Sequence, residues 1–277
     1  MSESVSGNLR KLRLNDIAAA MQLSTEAGWN QTEEDWRMLI ELAPEGCLAI
    51  ESDGELASTA TLVCYGRRLA WIGMVLTRIA NRGRGFARRL LTETLTLADQ
   101  MQIETVKLDA TDQGQPLYEK LGFRSEQPVE RWALPGTANP SASKAAPELN
   151  PSRDWQAADH RSFGLDRSQL LDSLARRHAP LSISHSYLLA RPGRLTRYLG
   201  PCVAETPEVA RSLILRALRT SSFGGWSWDL LPENENAATL ARDLGFTPRR
   251  HLLRMVRGKD LRGNEDAIYA IAGFELG

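Results

Sequence analysis

Cysteine, histidine and aromatic residues are scarce in this chain, and neither sign of charge is in excess. The three cysteines among 277 residues (Cys47, Cys64, Cys202) are odd in number and widely spaced, with no CxxC pair. That excludes a disulfide scaffold and suits buried thiols in a reducing compartment. The four histidines (His160, His178, His185, His251) show no metal-ligand spacing, so no metal is expected. Lysine plus arginine and aspartate plus glutamate each number 34, a net charge of zero. This argues against a nucleic-acid partner held by bulk charge, though not against a local basic pocket. Missing too is any apolar run near the roughly 18 residues that span a bilayer. The opening MSESVSGNLRKL lacks the apolar core of a signal peptide. No membrane partner is expected, and the cytoplasm is the expected compartment. With 42% hydrophobic and 25% charged residues, the composition is that of an ordinary globular protein.

The most informative stretch is 71–91, WIGMVLT-RIAN-RGRGFARRLL. An apolar run, a polar break, a glycine-rich turn and the opening of a helical pattern follow in that order. Gly83 and Gly85 let the backbone bend tightly and come close to a ligand. A helix start offers unpaired N–H groups and a partial positive charge, which attract phosphate. Arg82 and Arg84 add full charges beside it. The spacing is neither GxGxxG nor GxxxxGK[ST], so dinucleotide and P-loop readings are poor. A basic turn with solvated arginines remains the plain alternative for the loop alone.

Residues 135–152, PGTANPSASKAAPELNPS, are rich in Pro, Ser and Ala and read as a linker. They divide the chain into domains at 1–134 and 153–277. The halves share one signature. LYEKLGF (117–123) and LARDLGF (240–246) are both short helical patterns ending in Gly then Phe, each between strand-like runs, which suggests two copies of one α/β unit. In the first half, LRLN is a short strand and 16–27 a helix. Thr32 with Asp35 forms a capping box for a helix to about Leu42. Three strands follow, the first two joined by an Asp53-Gly54 hairpin. Then come a helix over 86–100, a strand TVKLDAT, a helix starting near Pro116, and a last strand.

This order, with Arg-x-x-Gly-x-Ala after a strand, resembles the GNAT superfamily (general control non-repressible 5-related N-acetyltransferases). AGWNQTEEDW (27–36), SFGLDRSQLL (162–171), YLGPCVAET (198–206) and IYAIAGFELG (268–277) make the chain similar to a bacterial tandem subfamily. The resemblance implies a mixed, mostly antiparallel α/β sheet in each of two GNAT folds. It implies acetyl-CoA as co-substrate and transfer of its acetyl group to a primary amine, on a small molecule or a peptide, by direct attack in a ternary complex. The pantetheine arm would pair with the backbone of Val75, Leu76 and Thr77. The pyrophosphate would lie on Arg82, Gly83, Arg84, Gly85, Phe86 and Ala87, with Ala87 standing where a final Gly is commoner. Tyr118 occupies the family's general-acid position; a phenol with a pKa of about 10 can protonate a departing thiolate. Its plain alternative is a core tyrosine under the Leu-Gly-Phe turn.

Trp29 and Asn30, in the joint between the first two helices, are candidates for the acceptor wall, and Asp109 is a third acceptor-site candidate. The general base is open among Glu26, Glu33, Glu34, Asp109, a water chain and the terminal carboxylate at Gly277. The second half reads Ala204-Glu205-Thr206-Pro207-Glu208 where the phosphate loop would fall, and Ala241 where Tyr118 would fall. It is therefore expected to be degenerate, with a structural or acceptor-site role. A homodimer is compatible with these features. The alternative function is an acyl-CoA-binding sensor or partner protein without turnover.

Overall fold

The computed structural model describes residues 7–136, 154–219 and 224–277; most of the expected linker lies outside them. The first half runs β1 (Asn8–Lys11), α1 (Ile17–Glu26), α2 (Glu33–Leu42), β2 (Leu48–Ser52), β3 (Glu55–Tyr65), β4 (Leu69–Thr77), α3 (Phe86–Gln100), β5 (Thr105–Ala110), α4 (Gln115–Lys120) and β6 (Arg124–Leu134). The second runs α5 (Trp155–Phe163), α6 (Ser168–Ala175), β7 (Leu181–Ile183), β8 (Ser186–Arg191), β9 (Arg197–Val203), α7 (Pro207–Arg219), β10 (Trp226–Leu230), α8 (Glu235–Asp243), β11 (Thr247–Gly258) and β12 (Ile268–Ala270).

Local chemistry sets several boundaries. The Thr32 hydroxyl accepts from the Asp35 amide at 3.2 Å while the Asp35 carboxylate accepts from the Thr32 amide at 2.8 Å, the reciprocal capping box. Asp53 and Gly54 turn β2 into β3 with φ of 56° and 76°. In both halves the Leu-Gly-Phe turn closes its helix in the same way. Gly122 and Gly245 are left-handed (φ 87° and 84°), and the amides of Phe123 and Phe246 reach back to the carbonyls of Tyr118 and Ala241 at 3.1 and 3.0 Å.

The twelve strands of the described residues join one mixed sheet, in the order β1-β2-β3-β4-β5-β11-β6-β10-β9-β8-β7, with β12 paired to β9. The halves exchange strands. β11 of the second half lies between β5 and β6, and β6 of the first lies between β11 and β10. The strand repeat foretells two sheets of one kind but not this interleaving, because alternation of apolar residues specifies a face and not a partner. The core is correspondingly shared. Trp36, Leu39 and Trp71 belong to one buried cluster with Leu170, Leu171, Tyr187, Ile271 and Leu276.

Candidate functional site

β4 and β5 run parallel and pair only at Ala70–Val106 and Trp71–Lys107. Beyond these pairs they part. At the same point β4 bulges: Thr61 opposes Gly73 and Thr59 opposes Leu76, so Met74 and Val75 face Ala60 alone. Met74 takes φ 49°, a conformation unusual for a side chain with a Cβ. Its carbonyl is held by the Thr59 hydroxyl at 2.8 Å, and that of Leu76 by the Ser58 hydroxyl at 2.6 Å. The strain therefore sits in a backbone pinned from β3.

After β4 the chain turns through Gly83 (φ 76°) and Gly85 (φ 80°) and enters α3, with Gly85 as its N-cap. The first-turn amides of α3 have no helical carbonyl before them. Phe86 is buried and anchors the turn, and the Arg84 guanidinium lies 4.9 Å from its ring. A groove of about 600 Å³ is lined by Val75, Leu76, Thr77, Arg82, Gly83, Gly85, Phe86, Ala87, Leu117 and Tyr118. It thus gathers eight of the nine residues expected to hold the co-substrate; Arg84 instead stands 3.9 Å from Asp53.

A smaller cavity of about 100 Å³ adjoins the groove, its walls including Trp29, Gln31, Gly73, Asp109, Arg131, Leu252, Phe274 and Glu275. Val75, Thr111, Tyr118, Trp29 and Arg250 line both spaces. Tyr118 is 8% exposed and stacks edge-on against Phe123 at 6.0 Å. Burial pushes its phenol up to about 12, so the hydroxyl keeps its proton at neutral pH.

The expected acceptor residues separate. Trp29 lines the cavity. Asn30 points to the second half: its Nδ2 donates to the Thr196 carbonyl at 3.0 Å and its Oδ1 accepts from the amides of Leu195 and Thr196 at 2.7 and 3.0 Å. Asp109 lines the cavity, but both its oxygens are bonded by Arg254, at 2.8 and 3.0 Å. Of the other base candidates, Glu26, Glu33 and Glu34 are exposed and outside the cavity walls. The Gly277 oxygen accepts from Arg167 at 2.8 Å and does not line the cavity.

Sequence reasoning missed Gln31, Arg250, Phe274 and Glu275. Three of these come from the second half: Arg250 lay in the expected strand RRHLLRMV, and Phe274 and Glu275 in the stretch ending AGFELG. Residues 268–277 form a strap across both halves. β12 pairs with the end of β9, and the Ile271 amide donates to the Asp229 carbonyl of β10 at 3.0 Å. β9 and β10 run parallel like β4 and β5, and this segment bridges their ends. Further along, the Trp71 indole donates to the Phe274 carbonyl at 2.9 Å and the Tyr65 hydroxyl to the Leu276 carbonyl at 2.6 Å. Gly73 admits the strap: a Cβ there would lie 2.6 Å from the Glu275 Cβ.

The fold is thus a tandem α/β pair in which one half keeps an open splay and the other has its splay bridged by the chain itself. A family model described as acetyltransferase (GNAT) family matches residues 14–123, and one described as acetyltransferase (GNAT) domain matches 156–270. The uncharacterized N-acetyltransferase YitH of Bacillus subtilis is 28% identical over 253 residues, covering 86% of this chain and 87% of that protein. A holothin acyltransferase of Pseudoalteromonas is 26% identical over 267 residues, covering 90% and 87%. The crystal structure of a candidate acetyltransferase from Pyrococcus horikoshii superposes with a TM-score of 0.88 at 23% identity, covering 99% of this chain and 97% of that one, a likeness of fold. The chain belongs to the GNAT superfamily, carries two of its domains in tandem, and has acyl transfer as its class of chemistry. Among the described residues no group of side chains could hold a metal ion, and no helix is long and apolar enough to cross a membrane.

Proposed function

We propose that the first half is an N-acetyltransferase that takes acetyl-CoA in the groove and a primary amine in the adjoining cavity. The observation that carries this reading is the position of Tyr118 and Val75 on both spaces at once. In this reading the amides at the start of α3 and Arg82 hold the pyrophosphate, and the exposed edge of Val75–Thr77 pairs with the pantetheine arm. A backbone N–H near the Met74 bulge stabilises the oxyanion, and Tyr118 protonates the thiolate as it leaves. The amine attacks directly in a ternary complex, because donor and acceptor spaces meet. The functional division falls at 1–134 and 153–277, with the second half giving walls and support rather than a second catalytic centre. Ala241 stands in the place of Tyr118, and residues 268–272 lie where a second pantetheine arm would need to pair.

Isothermal titration with acetyl-CoA tests the groove. Gly85→Ala strains a left-handed residue without adding charge, whereas Gly85→Glu puts a carboxylate where phosphate should sit. We expect Gly85→Glu to lose at least tenfold in affinity beyond Gly85→Ala, about 1.4 kcal/mol. Equal affinities for the two variants would sink the phosphate assignment. Acetyl-CoA ordered in the second half of a soaked crystal would sink the single-centre reading. A thiol-release screen across amino acids, polyamines, arylalkylamines, aminoglycosides and peptides then addresses the acceptor.

A further inference from the structure

Most charged groups around the small cavity already have partners. Asp109 is bonded by Arg254. Arg131 donates to both oxygens of Asp229, each at 2.6 Å. Arg191 donates to the carbonyls of Gly200 and Ala272 at 2.9 and 2.8 Å and lies 3.7 Å from Asp35. Asp35 is also tied to Thr32. Thr111 accepts from the Gly114 amide at 3.2 Å.

Four polar groups remain. Tyr118 is the expected acid, and Arg250 stands where the cavity opens to the groove, 5.8 Å from the Trp29 ring and 5.9 Å from Phe274. The other two are hydrogen-bond acceptors. The Oε1 of Gln31 is buried without a partner, in a residue 8% exposed. Glu275 is 6% exposed and has no ion-pair partner among the described residues; its own backbone amide is the one hydrogen-bond donor it meets. Both residues line the cavity. Glu275 also lies against Gly73, immediately before the bulge that carries Met74 and Val75.

We propose that Glu275, brought into the first half by the C-terminal strap, receives the acceptor as its ammonium form and takes its first proton, with Gln31 as the second hydrogen-bond acceptor. The rest of the wall is Ile72, Met74, Val75, Leu108 and Leu252 with the aromatic rings of Trp29 and Phe274. At about 100 Å³ the closed space is smaller than the roughly 150 Å³ cavity that takes up benzene, and it opens on the groove, so only a short stem fits. The acceptor class is therefore a primary amine on a short apolar or aromatic stem. This rests on the reading of the groove as the acetyl-CoA site.

The step balances as follows. A proton passes from the ammonium to the Glu275 carboxylate, and the freed lone pair forms the N–C bond to the thioester carbon. The C–S bond breaks, its electron pair leaves on sulfur, and Tyr118 gives sulfur a proton. Tyr118 is reprotonated with the second proton lost by nitrogen, and Glu275 returns its own to solvent. Burial and the nearby Asp35 hold the Glu275 carboxyl above the usual carboxylate range, with Arg191 and Arg131 opposing. The carboxylate is therefore the working form above that raised value, and activity falls as pH drops through it.

The test is thiol release from acetyl-CoA with benzylamine, phenethylamine and n-butylamine, and calorimetric binding of the same amines and of benzyl alcohol to the CoA complex. Wild type should accept at least one amine and bind benzyl alcohol at least tenfold more weakly than benzylamine. Glu275→Gln should lower kcat/KM at least 100-fold. Its residual rate should climb tenfold per pH unit towards the pKa of the amine, as only free amine then reacts. Glu275→Asp should recover part of the rate. Gln31→Ala should raise KM for the amine about tenfold with kcat kept, which answers the case in which Glu275→Gln does not fold. Acetyl-CoA affinity should be unchanged throughout. A Glu275→Gln enzyme within threefold of wild type and with the same pH profile overturns the proposal. So does a wild type that binds acetyl-CoA but takes none of the amines. Wild type failing to bind acetyl-CoA at all overturns the groove reading first, and this inference with it.

Discussion

Replacing Tyr118 by Phe should lower kcat by about 10²–10⁴ while leaving acetyl-CoA affinity within twofold, the range expected for loss of a positioned general acid. The side chain is buried against Phe123, and the ring that packs there survives the substitution. Only the hydroxyl is lost, and it makes no hydrogen bond among the described residues, so little stability should go with it. Burial lifts the phenol to about 12, well above the roughly 8.5 of an ordinary thiol. A donor this reluctant yields its proton only to sulfur already carrying most of a charge, so transfer should be late and coupled to C–S cleavage. Two measurements follow: a solvent deuterium isotope effect on kcat that disappears in Tyr118→Phe, and the absence of an alkaline limb from Tyr118 below about pH 10 in wild type. A variant that loses acetyl-CoA affinity in step with turnover would assign Tyr118 to the core under the Leu-Gly-Phe turn instead.

The second large effect is expected at a residue that does not line the cavity. Asp159 is fully buried on α5 and accepts from Arg167 through both oxygens, at 2.8 and 2.9 Å, and from the Tyr187 hydroxyl. Arg167 is itself buried, lies 3.9 Å from the Phe163 ring, and donates to the Gly277 oxygen at 2.8 Å. Asp159→Ala leaves that guanidinium buried with only the Gly277 oxygen and the Phe163 ring beside it among the described residues. Removing one partner of a buried pair costs roughly 3–5 kcal/mol. For a protein of this size that is a fall in melting temperature of about 10 °C. Because Arg167 holds the end of the strap that carries Glu275, the variant should also bind the amine more weakly at temperatures where it stays folded, with acetyl-CoA affinity kept. A melting temperature within 2 °C of wild type would refute the account of this network.

What the sequence disclosed and what it hid divide along physical lines. Gly83, Gly85 and Gly122 were legible because a left-handed backbone needs glycine, and the Thr32–Asp35 box because both partners lie within one helical turn. The groove followed from those local signals and from the resemblance they supported. Met74 was not legible: nothing in WIGMVLT marks one methionine as left-handed, since its conformation is imposed by Thr59 and by the count of residues on β3. Asn30 looked like an acceptor-wall residue because it sits in the right joint, and its hydrogen bonds to residues 195 and 196 are visible only in three dimensions. Glu275 was hidden for the same reason. The stretch IYAIAGFELG carries no local sign of what its carboxylate packs against, and the contact with Gly73 is visible only in three dimensions.

The interleaved strands also fix an order of events during synthesis. β5 is made early, yet its neighbour β11 follows about 140 residues later, at Leu253 opposite Ala110. At ~5–20 residues per second, the edge of β5 stays unpaired for roughly 7–30 s while the ribosome completes the rest. Residues 268–277, made later still, then contact both halves together. A nascent chain of this protein therefore carries the Gly83–Gly85 turn and the start of α3 long before it holds Arg250, Phe274 and Glu275, the cavity walls that the second half supplies.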